Sequence, residues 1–107
     1  MIQTLIIDDE KINRKILSTL ILNSCPTVSI IAEADGVESG VLAIKRLHPD
    51  LILLDISLND GDAFDLLDQI DNIDFKIIFV TAHEEYAVKA FKISAIDYLL
   101  KPVKTKD

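Results

Sequence analysis

The sequence predicts a doubly wound α/β fold, in which helices cover both faces of a parallel sheet. Short runs rich in Ile, Leu and Val alternate along the chain with segments whose apolar residues recur at helical spacing. Nearly continuous apolar strands are typical of parallel sheets that are buried on both faces and joined by right-handed crossovers. The 107 residues are enough for one hydrophobic core and too few for two, so we expect a single domain over residues 1–107.

Five apolar runs are expected to form the strands, and four segments between them are expected to form helices. The predicted strands are Leu5–Ile7, Val28–Ala32, Leu51–Ile56, Ile77–Val80 and Ala95–Leu100. Each predicted helix buries one stripe: Ile12, Ile16 and Leu20; Val37, Val41 and Ile44; Phe64, Leu67 and Ile70; or Tyr86, Ala90 and Ile93. Pro26 after the first helix and Gly36 before the second are typical of such boundaries.

An excess of acidic residues limits the possible partners of the chain. The 18 acidic and 11 basic residues give a net charge of -7, which repels nucleic-acid phosphates and anionic membrane surfaces. Asp8, Asp9 and Glu10 interrupt the first apolar run far short of membrane-spanning length. Cys25 is the single cysteine, which excludes an internal disulfide, and we expect it to be buried. We therefore predict a cytoplasmic protein that contacts neither nucleic acid nor membrane through this segment.

Polar residues stand at the carboxyl ends of four predicted strands. They are Asp8 and Asp9 after the first, Asp55 at the third, Thr81 after the fourth and Lys101 after the fifth. Parallel strands bring these ends to one edge of the sheet, where such folds bind ligands. Three carboxylates repel one another unless a cation neutralises them, and an open site lined by oxygen atoms suits Mg²⁺.

Asp55 is the strongest candidate for a nucleophile in this group. A carboxylate that directly follows the apolar run Leu51–Leu54 costs desolvation energy unless something offsets it. Beside a bound cation it can attack phosphorus and form an acyl phosphate, while a lysine balances charge on the transferred group. Taken singly, the acidic pair can be a helix cap and Asp55 a loop cap, so the hypothesis depends on the combination.

These residues resemble the receiver domain family of response regulators over essentially the whole chain. The matching motifs are Asp8-Asp9, Leu53-Leu54-Asp55-Ile56, Val80-Thr81-Ala82 and Tyr98-Leu99-Leu100-Lys101-Pro102. The stretches His83–Phe91 and Ala95–Tyr98 are similar to receivers of the LytR/AlgR branch, which usually carry a C-terminal DNA-binding domain of the LytTR type. The resemblance implies a flavodoxin-like sheet with strand order 2-1-3-4-5 and transcription regulation by a DNA-binding domain that follows residue 107.

The resemblance also implies a role for each site residue. Asp55 would accept a phosphoryl group from a sensor histidine kinase, and the domain would catalyse only its own phosphorylation and dephosphorylation. The implied Mg²⁺ ligands are Asp9, Asp55 and the backbone carbonyl of Ser57, with Asp8 acting largely through water. Thr81 and Lys101 would contact the phosphoryl oxygens, and Thr81 with Tyr98 would form the switch. A homodimer would form through the face of the fourth helix and fifth strand.

The chain departs from the family pattern at three places. Asn59 stands where receivers commonly have a proline. Ser57 and His83 occupy positions at which the family tunes its dephosphorylation rate. The sequence stops at Asp107, where the fifth helix of the family would begin, so we expect a shortened domain that exposes apolar surface and self-associates.

Three other functions remain open from the sequence. An aspartate-nucleophile phosphohydrolase uses the same acyl phosphate, but usually has a second aspartate where this chain has Ser57. A nucleotide- or flavin-binding module needs a glycine-rich loop where the chain has Asp8, Asp9 and Glu10. A receiver that acts only as a phosphorylation-independent interaction module would retain the fold.

Overall fold

The computed structural model describes residues 1–81 and 97–100 of the chain. Within these residues the strands are β1 (Ile2–Ile7), β2 (Val28–Ala34), β3 (Leu51–Leu54), β4 (Ser57–Leu58), β5 (Gly61–Asp62), β6 (Lys76–Thr81) and β7 (Asp97–Leu100). The helices are α1 (Lys11–Ser24), α2 (Val37–Leu47) and α3 (Ala63–Asp68). No described helix is long and apolar enough to cross a membrane.

Five strands form one parallel sheet in the order β2-β1-β3-β6-β7. The two short strands β4 and β5 form a separate antiparallel hairpin, so this order is the predicted 2-1-3-4-5 and the doubly wound fold is confirmed. The register pairs Ile7 with Leu54, Leu54 with Phe79, and Phe79 with Tyr98. The carboxyl ends of these strands therefore lie along one edge of the sheet.

The larger hydrophobic cluster lies between the sheet and the helices α2 and α3. Alternate strand residues point into it because side chains in a strand change face at every residue; they are Leu5, Ile7, Ile52, Leu54, Ile77 and Phe79. The predicted α2 stripe of Val37, Val41 and Ile44 is confirmed as buried. Burial of each large aliphatic side chain contributes about 1.5–3 kcal/mol, so this face supplies most of the core.

The opposite face packs against α1, and here the predicted buried stripe is wrong. Ile12 and Ile16 are 65% and 45% exposed, whereas Leu17 is 6% exposed and belongs to the second core cluster. The contacts of Arg14 are consistent with this rotation of α1. Its guanidinium donates to the Glu33 side chain at 3.1 Å and to the Asp8 carbonyl oxygen at 2.7 Å, and Leu17, one turn further along the helix, packs in the second cluster.

Several smaller predictions are also corrected. Ile70 lies beyond α3, although it still packs against the larger cluster. The third strand ends at Leu54 rather than at Ile56, and Cys25 is exposed at the end of α1. The predicted helix of Tyr86, Ala90 and Ile93, the beginning of the fifth strand at Ala95 and the predicted start of a fifth helix lie outside the described residues.

Candidate functional site

Three carboxylates meet at the carboxyl ends of β1 and β3. Asp8, Asp9 and Asp55 each offer one oxygen, and these oxygens all lie within 4.8 Å of one another. Asp8 and Asp55 are 1% and 6% exposed, and Asp9 is partly exposed. The predicted convergence of these three aspartates is therefore present in the structure.

Backbone hydrogen bonds fix the position of this acidic cluster. The Asp8 N–H donates to the Ala34 carbonyl at 3.1 Å, and the Asp55 N–H donates to the Ile7 carbonyl at 2.9 Å. Each bond extends the hydrogen bonding of the sheet one residue beyond a strand. The two side chains are thus placed by the core strands, which are the most deeply buried part of the molecule.

The loop between β1 and α1 shows whether Asp8 and Asp9 cap the helix or belong to the carboxylate cluster. Asp8 Oδ1 accepts a hydrogen bond from the Glu10 N–H at 2.9 Å. The N-cap residue of α1 is Glu10, and its side chain makes no capping hydrogen bond. The N-cap position therefore belongs to Glu10 and not to Asp8 or Asp9, although Asp8 accepts from the N–H of that residue. Both carboxylates belong to the cluster.

The electrostatics of the cluster favour a bound cation. Partial burial raises the pKa of the Asp9 carboxyl group above its usual value, and the negative charges of Asp8 and Asp55 raise it further. A divalent cation would remove this repulsion. An oxygen-only ligand set at a partly open site suits a hard cation such as Mg²⁺, which keeps several waters. The residues present therefore fit the predicted metal.

The other predicted site residues are placed only in part. The backbone of Thr81 ends β6, the strand beside β3, so it lies at the same edge of the sheet as Asp55. Tyr98 pairs with Phe79 in the register of β6 and β7. Lys101 lies outside the described residues, so its contact with the phosphoryl group remains a prediction, as do the roles of the Thr81 and Tyr98 side chains.

The loop after Asp55 folds into the hairpin β4–β5. Ser57 pairs with Asp62 and Leu58 pairs with Gly61, so Asn59 and Asp60 form the turn. The Asp60 carboxylate accepts hydrogen bonds from the N–H groups of Val37 and Glu38, which lowers its pKa below the usual range. This contact of Asp60 was not predicted, because no local sequence pattern connects Asp60 with the beginning of α2.

Comparison with known protein families gives a match over nearly the whole chain. Residues 4–107 match the family model described as the response regulator receiver domain. The chain is 41% identical over 100 residues to the sensory transduction protein LytT of Enterococcus faecalis, which is 92% of this chain and 41% of that protein. It is 42% identical over 102 residues to the sensory transduction protein LytR of Staphylococcus haemolyticus, which is 94% of this chain and 40% of that protein.

Solved structures that are similar to this chain include a response regulatory domain. The response regulatory domain of protein mrkE from Klebsiella pneumoniae has a TM-score of 0.86 and 31% sequence identity, over 97% of this chain and 86% of that chain. The chain spans less than half the length of the curated relatives named above.

Proposed function

Because the chain belongs to the receiver domain family of response regulators, and is similar to its LytR/AlgR branch, we propose that Asp55 accepts a phosphoryl group from a sensor histidine kinase. The observation that supports this most directly is the cluster in which the buried Asp55 carboxylate lies within 4.8 Å of those of Asp8 and Asp9. A buried nucleophile beside an acidic pair needs a cation for its charge balance, and phosphoryl transfer uses that cation.

The transfer itself requires one bond to form and one to break. A carboxylate oxygen of Asp55 attacks the phosphorus atom, and the bond between phosphorus and the histidine nitrogen of the kinase breaks. The imidazole leaves with the electron pair of that bond and takes up a proton. The product is an acyl phosphate. The domain would catalyse only its own phosphorylation and later dephosphorylation, since Ser57 stands where a phosphohydrolase usually has its second aspartate.

Four oxygen donors would hold Mg²⁺ at this edge of the sheet: Asp8, acting largely through water, Asp9, Asp55 and the Ser57 carbonyl. When bound, the ion offsets the carboxylate charges and the charge that develops on the phosphoryl group. Thr81 and Lys101 would contact the phosphoryl oxygens. The support for Thr81 is its backbone position at the end of the strand next to β3.

The output of the domain would be a change in dimerisation that regulates transcription. Thr81 and Tyr98 lie on the neighbouring strands β6 and β7, so a movement of one could reach the other as a switch. The homodimer would form through the face made by the predicted fourth helix and by β7, the fifth strand of the parallel sheet. DNA would be bound by a LytTR-type domain outside residues 1–107, since this segment carries a net charge of -7. We place the protein in the cytoplasm.

The test is the intact mass of the chain after incubation with Mg²⁺ and acetyl phosphate. We expect the mass of one phosphoryl group to be added to the wild type and none to Asp55→Asn. Asp71→Asn is the matched control, because Asp71 is an exposed aspartate beyond α3, and it should be phosphorylated like the wild type. A wild type that takes no phosphate would favour the phosphorylation-independent module. Rapid release of phosphate from many small esters would favour a phosphohydrolase.

A further inference from the structure

We propose that Asp60 is a positioning residue for the phosphoacceptor site, because it ties the hairpin that carries Ser57 to the beginning of α2. This inference rests on the proposed function, in which the Ser57 carbonyl is a ligand of the ion at Asp55. Asp60 touches neither the phosphoryl group nor the metal in this proposal. It acts by holding the backbone that follows the nucleophile.

The contact between Asp60 and α2 is bidentate. Asp60 Oδ1 accepts from the Val37 N–H at 2.6 Å, and Oδ2 accepts from the Glu38 N–H at 3.1 Å. Both donors belong to the first turn of α2, where N–H groups have no partner within the helix and a negative charge is stabilised by the helix dipole. The Asp60 side chain therefore gives partners to two N–H groups in the first turn of α2. It also ties that turn to a loop that lies 23 residues after Val37 and 22 residues after Glu38.

The hairpin is short, and it is held to the core by Leu58, which packs in the larger hydrophobic cluster. It contains two residue pairs, and an isolated hairpin of this size is not stable in water. Its end next to α3 is held locally, since the Asp62 and Asp65 side chains each accept the other's N–H at 2.9 Å. In the described part of the chain, the hydrogen bonds that tie the turn of the hairpin to α2 are the two accepted by Asp60. The turn residues Asn59 and Asp60 include no proline that would stiffen the loop.

Gly36 is part of this contact because it leaves room for the carboxylate. A Cβ atom at Gly36 would lie 2.7 Å from Asp60 Oδ1, closer than such atoms can approach. The backbone of Gly36 is extended, with φ of -170°, so a side chain there causes no backbone strain. A substitution at Gly36 should therefore displace the Asp60 carboxylate and leave Asp60 itself unchanged.

The experiment separates loop positioning from simple stabilisation of α2. Asp60→Ala and Gly36→Ala are each expected to weaken binding of Mg²⁺ alone, measured by titration calorimetry, by about tenfold, as found when groups that orient metal ligands are removed. In the double variant Gly36→Ser with Asp60→Ala, the serine hydroxyl can cap α2 locally, because the carboxylate that would clash is gone. We expect this variant to regain thermal stability and to keep the weakened Mg²⁺ affinity. Asp71→Asn should match the wild type in both measurements.

Two results would overturn the proposal. One is an unchanged Mg²⁺ affinity in Asp60→Ala or Gly36→Ala, and the other is a double variant that regains both stability and affinity. If Asp60→Ala does not fold, Gly36→Ala and the double variant decide the question by the same titration. The intact-mass measurement on the wild type decides the phosphoacceptor role separately, so failure of the proposed function and failure of this inference give different results.

Discussion

Asp55 and Asp8 are held by the backbone of the sheet, and this explains how two nearly buried carboxylates can face each other. Their N–H groups continue the hydrogen bonding of β3 and β1, so the core strands fix the backbone from which the two side chains extend. Repulsion within the cluster is therefore retained in the folded domain. Burial raises the pKa of the Asp9 carboxyl group, and the negative charges of Asp8 and Asp55 raise it further.

Asp9→Asn should stabilise the metal-free domain at neutral pH, because it removes one of three neighbouring negative charges. The same substitution should reduce the stabilisation by Mg²⁺, which for the wild type is about 2.7 kcal/mol at a concentration of 100 times Kd. Urea unfolding with and without Mg²⁺ measures both effects. The exposed-site control is Asp71→Asn, and an Asp9→Asn variant that gains as much from Mg²⁺ as the wild type would exclude Asp9 as a ligand.

Asp60 should make the stability of the domain depend on pH, because its pKa is lowered in the folded state, whereas the pKa of Asp9 is raised. Its pKa is lowered in the folded state by the N–H groups of Val37 and Glu38, so its contribution is fully present above the ordinary value of 3.8. The contribution is lost as the pH falls through the lower folded-state pKa. The difference in unfolding free energy between the wild type and Asp60→Asn should therefore be constant above about pH 5 and shrink below pH 3.8. A difference that grows on acidification would contradict this.

At the scale of elements, α1 shows which information the sequence lacks. Its apolar residues form two adjacent stripes, one of Ile12, Ile16 and Leu20 and another of Leu17 and Ile21. Periodicity predicts a helix from either stripe, so the helix is confirmed, but periodicity does not select the stripe that faces the sheet. The stripe that faces the sheet is the one that packs with Ile6, Leu53 and Val80, residues of three different strands that meet only in the folded chain.

Leu17→Ala and Ile12→Ala should therefore have different effects on stability. Leu17 is buried in the second core cluster, and its truncation should cost about 2–5 kcal/mol. Ile12 is 65% exposed, and its replacement should change the unfolding free energy by less than about 0.5 kcal/mol. Chemical denaturation of both variants gives the comparison. Equal losses would mean that α1 is rotated differently from the structure described.

At the site too, the positions of some residues could be predicted from the sequence and those of others could not. Asp8, Asp9 and Asp55 could be predicted because each follows a strand, and the ends of parallel strands must meet at one edge. Asp60 could not be predicted in this way. Its partners Val37 and Glu38 are brought to it by the packing of α2 beside the hairpin, which no local sequence pattern specifies.

At the scale of the whole molecule, Asp55 follows β3, and β7, the strand of the proposed output, lies two strands away in the same sheet. The pairing of Leu54 with Phe79 and of Phe79 with Tyr98 connects β3 through β6 to β7, which is the last strand in the sheet order. A rearrangement at the end of β6 can thus reach β7, the outer strand next to it. This arrangement suits a domain that reports phosphorylation through an interface.

Phosphorylation should accordingly shift the dimerisation constant of the intact protein. Coupling free energies between two sites are typically about 1–3 kcal/mol, so we expect dimerisation to become about 5–150 times tighter. Sedimentation over a concentration series, with Mg²⁺ and with or without acetyl phosphate, measures the shift, and Asp55→Asn should show none. Phosphorylation can change dimerisation only if the state that it favours dimerises differently from the other state, so an unchanged constant would mean that the two sites are not coupled. The face of the fourth helix and fifth strand would then have no part in the response.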